Sequence, residues 1–290
     1  MKIRFALPAL AAAATLALVG CTNADTEGTA ETTTESGTAS ITTWEDIEAS
    51  GVLVIATDAA YPPNEYKDES GEPVGWGVEL ANAIAAELGL EPEWEIMDFD
   101  SILPRIEEGV VNMGSSSFTD TKERQKTVDF VNFLEAGSMW AAPAGADVDP
   151  DDACGLTVAV QQGTVQDTDE MPKRNQECID AGKAEITVLK FDGQPEVTNA
   201  VIQGQADAFS ADFPVTLDAV NQSGGELETV GEMFDTAPYG FAVQKGSGVA
   251  EAVQAALQTL MDNGTYLEIL TAAGVESGAV TEATINAATE

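Results

Sequence analysis

The chain has 290 residues, with 12 basic and 50 acidic side chains and a formal net charge of -38 at pH 7. Binding to nucleic acid depends on clusters of lysine and arginine, so this charge argues against a nucleic-acid-binding protein. The chain has no histidine, three cysteines and no glycine-rich dinucleotide or Walker A loop, and we therefore predict no catalytic triad, no metal site and no cofactor.

The N-terminus carries signals of export. Lys2 and Arg4 precede an apolar stretch at 5–19, which is too short for a comfortable membrane span and predicts a signal peptide at 1–20. The sequence Leu-Val-Gly-Cys that ends at Cys21 resembles the bacterial lipobox, in which the cysteine is lipidated and becomes the mature N-terminus. We therefore predict a protein anchored by lipid to the outer face of the cell membrane. An ordinary signal peptide with an incidental cysteine is the alternative.

The next segment, 21–43, predicts a tether. It consists mainly of Thr, Glu, Ser, Gly and Ala, with almost no side chain that a core could bury. This composition is typical of flexible, solvated chain. No later stretch is long and apolar enough to cross a bilayer.

Strand and helix patterns alternate in the first part of the folded region. An apolar run at 52–57 predicts a buried strand, and apolar side chains at helical spacing predict a helix at 78–88. A strand at 94–97, a helix at 101–108 and a strand at 110–115 follow. The alternation predicts an α/β fold with a mainly parallel sheet.

The pattern restarts after an Ala- and Pro-rich segment at 141–146. We then predict strands at 156–160, 186–191, 206–210 and 239–243, helices at 196–203, 249–261 and 265–273, and a helix that opens at Gly163 and Thr164. The final residues, 276–290, are small and polar and predict a loosely packed tail.

Cys154 and Cys178 remain as a pair if Cys21 carries the lipid. In an oxidising compartment such a pair predicts a disulfide, which would stabilise the fold by about 3–4 kcal/mol in the chain-entropy model. Two buried free thiols are the alternative.

Arg124 is one of only four arginines and follows a segment rich in hydroxyl groups. The hydroxyl residues are Ser115, Ser116, Ser117, Thr119 and Thr121. A guanidinium group matches both oxygens of a carboxylate, and hydroxyls can complete the shell. Taken alone, the segment favours a surface arginine that pairs with Glu123 or Asp129, because exposed ion pairs are common. The motifs of the whole chain favour the carboxylate pocket.

Those motifs have the order and spacing of a known family. They are GVLVIATD at 51–58, YPP at 61–63, GEPVGW at 71–76, FDSILP at 99–104, TKER at 121–124, VDF at 128–130 and QGT at 162–164. Several are weak singly, but together they are specific. Residues 44–274 resemble an extracytoplasmic solute-binding protein of the polar amino acid family, which serves an ABC-type importer.

The resemblance implies a two-lobed periplasmic-binding-protein-like fold of type II. Two crossover segments, expected near 141–146 and 233–238, would join the lobes and make the first lobe discontinuous. The expected boundaries are 44–142 and 238–276 for lobe 1, 143–237 for lobe 2 and 277–290 for a C-terminal tail.

The resemblance also implies how the two charged ends of an amino acid are bound. The matching residues are Arg124 with Ser117 and Thr119 for the α-carboxylate, the backbone N–H groups of Gly163, Thr164 and Val165 for the same group, and Asp212 for the α-ammonium group. A helix N-terminus favours anions, which suits the 163–165 segment. An ordinary helix cap is the alternative for that segment and for Asp212.

Five further residues are expected around the ligand's side chain. Tyr61 and Phe99 match aromatic positions that sandwich it, with core packing as the alternative. Asp58 and Gln161 occupy positions where specificity is often set. An anionic Asp58 would suit a cationic or amide side chain, and capping of the strand end is equally consistent with the sequence. Trp76 is expected either to line the cleft or to pack in the core.

Three positions depart from the common family pattern. Val165 replaces a frequent threonine, so only its backbone amide can contact an anion. Asn64 replaces a frequent aromatic residue and would make the pocket more polar. Gly77 replaces a frequent aspartate, which we expect to change only the start of a helix.

The expected function is that of a monomeric, lipid-anchored substrate-binding component of an ABC importer. It would hold a polar or basic amino acid between two closing lobes and present it to a membrane permease and its ATPase. A zwitterionic compatible solute such as ectoine is an alternative ligand. A cyclohexadienyl-dehydratase-like enzyme and a sensor without a transporter are alternative functions on the same fold.

Overall fold

The computed structural model describes residues 41–289. In this part of the chain the helices are α1 (Trp44–Ser50), α2 (Trp76–Glu87), α3 (Phe99–Glu107), α4 (Met171–Asp180), α5 (Gln194–Ile202), α6 (Phe213–Gln222), α7 (Val249–Asn263) and α8 (Thr265–Ala273). The strands are β1 (Val52–Thr57), β2 (Ala60–Tyr61), β3 (Glu65–Lys67), β4 (Pro73–Val74), β5 (Glu91–Ile96), β6 (Met113–Gly114), β7 (Val128–Pro143), β8 (Thr157–Gln161), β9 (Thr187–Phe191), β10 (Ala208–Asp212), β11 (Leu227–Gln244) and β12 (Ala279–Ile285). The predicted signal peptide, Cys21 and most of the predicted tether lie outside the described residues.

The sheet has two parallel groups of strands. Its order is β5-β1-β6-β11-β7-β10-β8-β9, with β12 paired to β7, and β2, β3 and β4 form a separate small sheet. β1 is parallel to β5 and β6, which we call the first strand group. β8 is parallel to β9 and β10, the second strand group. Between them lie β7 and β11, which pair antiparallel with each other.

The long strands β7 and β11 connect the two groups. β7 pairs with β12 up to Leu134 and with β10 from Ser138 onward. β11 changes register between Val230 and Gly240, and such bulges bend and twist a strand. β7 therefore changes its partner from β12 to β10 between Leu134 and Ser138. The sequence analysis expected the first crossover later, near 141–146. The irregular part of β11 includes the second expected segment, 233–238.

The α/β class is confirmed, but the sheet is mixed rather than mainly parallel. The strand predicted at 110–115 is reduced to the two residues of β6, and α1, α6 and β7 were not predicted. β7 is buried on both faces for most of its length, so its sequence lacks the alternation that identifies a half-buried strand.

The C-terminal residues are packed, and the prediction of a loose tail is wrong. β12 pairs with β7, and Ala283 and Ala288 are buried. The N–H group of Ala288 donates a hydrogen bond to Oδ2 of Asp120 at 3.1 Å. Small side chains allow this close approach to the sheet, although their pattern predicts no regular structure.

Apolar helix faces cover the first strand group. Leu80 and Ile84 of α2, Leu257 of α7 and Leu270 of α8 are completely buried in one cluster with β1 and β11. Complete burial of each such side chain stabilises the fold by about 1.5–3 kcal/mol. Within residues 41–289, none of the helices has the length and apolar character that a membrane span requires.

A disulfide fastens the second strand group. Cys154, which precedes β8, is bonded to Cys178 of α4, with 5.6 Å between their Cα atoms. The predicted pairing is therefore confirmed. The bond attaches α4 to the segment that precedes β8.

Candidate functional site

A narrow cavity lies where the carboxyl ends of the two strand groups meet. It is lined by Tyr61, Phe99, Ser116, Ser117, Thr119, Arg124, Gln161, Thr164, Val165, Gln166 and Asp212. Ser116 and Ser117 follow β6, whereas Gln161 and Asp212 end β8 and β10. Ligands of open α/β sheets commonly bind outside the carboxyl ends of the strands. The cavity therefore receives polar side chains from both strand groups.

Nine of the twelve ligand-binding residues predicted from the sequence line this cavity, and Asp58, Gly163 and Trp76 do not. Asp58 and Gly163 each bond to a lining residue. Trp76 is buried in the core of the first strand group and packs edge-on against Phe133, with 6.2 Å between ring centroids. Of its two predicted alternatives, core packing is correct.

Arg124 projects into the cavity from the loop before β7. Its Nη1 donates to the carbonyl of Thr119 at 2.8 Å, and its Nη2 donates across the cavity to the carbonyl of Gly163 at 2.9 Å. The guanidinium carbon lies 5.7 Å from the ring centre of Phe99 and 5.6 Å from that of Phe118. Arg124 therefore spans the two strand groups.

The alternative of a surface ion pair for Arg124 is wrong. Glu123 pairs with Lys126, and Asp129 pairs with Lys245 at 3.2 Å. Burial lowers the pKa of Arg124 to about 10, while nearby carboxylates act in the opposite direction. The guanidinium group therefore stays charged at neutral pH. Among residues 41–289 its hydrogen-bond partners are backbone carbonyls, so its positive charge is available to an incoming carboxylate.

Asp212 occupies the N-cap position of α6, but its side chain does not cap the helix. Its carboxylate accepts hydrogen bonds from the hydroxyls of Tyr61 at 2.9 Å and Tyr239 at 2.6 Å, and from Nε2 of Gln166 at 2.8 Å. Burial raises the pKa of Asp212, and these donors oppose that shift. The carboxylate is thus held rigidly at the cavity wall.

The segment after β8 differs from the expected cradle of N–H groups. The N–H group of Gly163 donates to Oδ2 of Asp167 at 3.0 Å, and its carbonyl accepts from Arg124. The Thr164 hydroxyl donates to the carbonyl of Gln161 at 2.7 Å. The carbonyl of Gly163 therefore contacts Arg124, while Thr164 and Val165 line the cavity.

Asp58 and Gln161 meet at another part of the cavity wall. Nε2 of Gln161 donates to Oδ2 of Asp58 at 2.7 Å, and the Ser116 hydroxyl donates to Oδ1 of Asp58 at 2.8 Å. Burial raises the pKa of Asp58. Oε1 of Gln161 is buried and has no hydrogen-bond partner among the described residues. Gln161 therefore offers an unsatisfied carbonyl oxygen at the wall, next to the Asp58 carboxylate that its amide contacts, and both groups accept hydrogen bonds.

The predicted aromatic residues lie between these polar groups. Phe99 stacks on Phe118, with 4.6 Å between ring centres and 21° between planes. Tyr61 lines the cavity and also accepts the N–H group of Asp212 on its hydroxyl at 3.0 Å. Tyr61 thus contributes an apolar ring and a polar contact to the same wall.

A polar cluster lies beside Ser117. The Ser117 hydroxyl donates to the carboxyl group of Glu65, and Nδ2 of Asn64 donates to Oγ of Ser117 at 2.9 Å. Nε1 of Trp76 donates to Oδ1 of Asn64 at 2.8 Å. Burial raises the pKa of Glu65 to about 8, and Ser117 opposes the shift. Asn64 therefore adds polarity next to the cavity without lining it.

The sequence analysis named Ser116 only as part of the hydroxyl-rich segment before Arg124, and it assigned no ligand-binding role to Gln166, Tyr239 or Glu65. Ser116 belongs to the hydroxyl-rich segment and could have been found from its neighbours. Gln166 follows the predicted segment directly. Tyr239 lies on β11, far along the chain from Asp212, and its sequence pattern gave no sign of a contact between them.

The chain is similar to known proteins. Residues 53–273 match the family model of the bacterial extracellular solute-binding proteins, family 3. The chain is 41% identical over 238 residues to the arginine-binding protein ArgT of Corynebacterium glutamicum. The matched region covers 81% of this chain and 78% of that protein.

Two solved structures are also similar. An ancestral arginine-binding protein bound to arginine has a TM-score of 0.69 and 36% identity, with 77% of this chain and 97% of that chain covered. An ancestral arginine-binding protein bound to glutamine has a TM-score of 0.68 and 35% identity, with the same coverage.

Proposed function

Because this chain belongs to family 3 of the bacterial extracellular solute-binding proteins, we propose that it captures arginine outside the cytoplasmic membrane for import. The chain is an extracytoplasmic protein that binds amino acids, and its named relatives are binding proteins rather than enzymes. The type II periplasmic-binding fold of its neighbours agrees with the two strand groups joined by β7 and β11.

One observation carries the choice of arginine. The cavity that contains Arg124 and Asp212 is also walled by Gln161, whose carbonyl oxygen has no partner and whose amide holds Asp58. A guanidinium group has five N–H donors and no acceptor, so it suits a site with a carboxylate and a carbonyl oxygen. A neutral side chain would leave the buried Asp58 charge without a cationic partner.

The other two charges of arginine match the remaining groups. Arg124 would bind the α-carboxylate, because its hydrogen-bond partners in the described part of the chain are uncharged backbone carbonyls. Asp212 would bind the α-ammonium group, with its orientation fixed by the two tyrosine hydroxyls. Tyr61 and Phe99 would contact the aliphatic part of the ligand. These assignments are part of the proposal.

Binding would be coupled to closure of two lobes. We assign β7 and β11 as the crossovers, because their partners and register change where the strand groups meet. Ligand contacts to residues of both groups would favour the closed form, since a ligand shifts such an equilibrium only by what it gains there. A permease would then receive arginine from the closed protein, which the lipid at Cys21 would hold at the membrane.

Calorimetry on the full-length protein in detergent tests the ligand. Arginine should bind most tightly and lysine less tightly. Citrulline, the neutral isostere of arginine, should bind with a free energy at least about 2 kcal/mol less favourable, because Asp58 would lose its cationic partner. Ectoine should give no measurable heat. Equal affinity for arginine and citrulline, or binding of ectoine with no binding of arginine, would contradict the proposal.

A further inference from the structure

Glu65 on β3 is a buried acidic residue that the proposed function leaves without a role. Its exposure is 1%, and both of its carboxyl oxygens accept from the Ser117 hydroxyl, at 2.9 and 3.1 Å. Within residues 41–289, no lysine or arginine forms an ion pair with it. An unpaired buried carboxyl group next to a ligand cavity favours the protonated state.

The recess that holds Glu65 depends on two residues that depart from the family pattern. A Cβ atom at Gly77 would overlap Oε1 of Glu65, so the missing side chain leaves space for this carboxyl group. Asn64 donates to the same Ser117 hydroxyl that donates to Glu65. All of these residues adjoin the first strand group, and the burial of Glu65 therefore does not depend on the second group.

Three acidic groups consequently share one region. The ionisable groups that act on Glu65 through their charge are Asp58 after β1 and Asp212 at the end of β10, and Glu65 in turn acts on Tyr239 of β11. Asp58 and Asp212 each accept from two or more side-chain donors, whereas among the described residues the carboxyl group of Glu65 accepts from a single residue, Ser117. Because burial disfavours the charged form, and the neighbouring carboxylates add to this effect, Glu65 is the group that retains a proton.

We propose that Glu65 determines specificity for ligand charge: it is protonated in the empty protein and releases that proton to solvent when a cationic side chain pairs with Asp58. This inference rests on the proposed function. The guanidinium group would cancel the charge of Asp58, and the α-ammonium group would cancel that of Asp212, so ionised Glu65 becomes acceptable. A neutral side chain leaves Asp58 uncompensated, and Glu65 keeps its proton.

The preference for cationic over neutral ligands should therefore increase with pH. Because the pKa of Glu65 is raised to about 8, the empty protein holds this proton at neutral pH. The chain has no histidine, the side chain whose ordinary pKa lies between pH 5 and 8. A proton released on binding near pH 7 is thus unusually informative in this protein.

Calorimetry in buffers of low and high ionisation enthalpy measures this proton directly. For arginine binding to the full-length wild-type protein in detergent at about pH 7, we expect release of roughly half to one proton. Glu65→Gln, which mimics the protonated acid, should bind arginine with no release. Asp218→Asn is the matched control, because Asp218 is a half-exposed carboxyl group of α6 with a raised pKa, and it should retain the release.

The outcomes are distinct. Buffer-independent heats of arginine binding in the wild type would overturn the role of Glu65 and leave arginine binding intact. Release that persists in Glu65→Gln would also overturn it, since another group would be the source. If that variant fails to fold, the wild type still decides: its Kd for arginine should fall by up to about tenfold per pH unit between about pH 6 and 7.5, and a constant Kd sinks the proposal. Absence of any arginine binding would instead contradict the proposed function.

Discussion

Gln161 of the second strand group donates a hydrogen bond to Asp58 of the first, with 2.7 Å between Nε2 and Oδ2. The same Gln161 side chain has an unpartnered carbonyl oxygen. A guanidinium group that enters here can donate hydrogen bonds to the Gln161 carbonyl and to Asp58. It would then replace the hydrogen bond between the Gln161 amide and Asp58. We therefore propose that the ligand's side chain binds between Gln161 and Asp58.

The first prediction concerns Asp58. Asp58→Asn should weaken arginine binding by about 2–4 kcal/mol, because the guanidinium group loses its charged partner, and should change glutamine binding much less. Titration calorimetry measures both. Asp98→Asn is the control, because Asp98 is exposed and its side chain makes no capping bond. If the variant lost similar affinity for arginine and for glutamine, Asp58 would not contact the ligand's side chain.

The second prediction concerns Arg124. Arg124→Lys keeps the positive charge but loses the planar fork, so affinity for arginine should fall by about 2 kcal/mol or more. Arg105→Lys, at an exposed arginine that pairs with Glu108, should bind as the wild type does. Calorimetry at constant pH provides the comparison. Unchanged affinity in Arg124→Lys would exclude a bidentate carboxylate contact.

The third prediction concerns the hydroxyl that orients Asp212. Tyr239→Phe removes one of its three side-chain donors and should weaken binding by about 1–3 kcal/mol. Tyr266→Phe is matched to it, because that buried hydroxyl donates to the carbonyl of Phe133 at 2.8 Å, away from the cavity. The control should lower thermal stability and leave the Kd unchanged. Equal effects of both variants on the Kd would mean that Tyr239 acts only through the fold.

The fourth prediction concerns the disulfide. Replacing Cys154 and Cys178 by serine should lower the free energy of unfolding by about 3 kcal/mol, because the unfolded chain regains the freedom that the bond removes. Urea unfolding monitored by circular dichroism measures the change. Reducing agent should destabilise the wild type and leave the double variant unaffected. A midpoint in the wild type that does not respond to reduction would contradict this.

The fifth prediction concerns pH and the empty protein. Burial raises the pKa of Glu65 from 4.5 to about 8, so the folded state holds a proton that the unfolded state loses earlier. The stabilisation is complete below about pH 4.5 and disappears as the pH rises through about 8. Between these values the free energy of unfolding should fall by a few kcal/mol more in the wild type than in Glu65→Gln. Parallel pH profiles for the two proteins would be incompatible with a raised pKa.

Local patterns sufficed for much of the fold. The sequence predicted the positions of α2, α7 and α8 closely, because their apolar residues recur at helical spacing and glycines end them. It did not predict β7 as a strand or its partnership with β11, since a doubly buried strand has no alternation and antiparallel pairing depends on residues distant in the chain.

The candidate site was predictable where motifs carried it. Arg124, Asp212 and Gln161 follow or end recognised elements, and the structure brings them to one cavity. Glu65 could not be recognised, because it belongs to an acidic stretch that reads as exposed chain. Only the fold reveals that Gly77 leaves a space for its carboxyl group.

The bond between Ala288 and Asp120 has a practical consequence. Asp120 lies in the loop that carries Thr119 and leads to Arg124, so Ala288 stabilises the loop to which we assign the ligand's carboxylate. An affinity tag or fluorescent reporter fused after Ala288 would disturb that loop. A biosensor made from this protein should instead carry its label at another site, such as the exposed turn around Gly71. In sequence, Tyr61 and Asp58 are the proposed ligand contacts nearest to this turn.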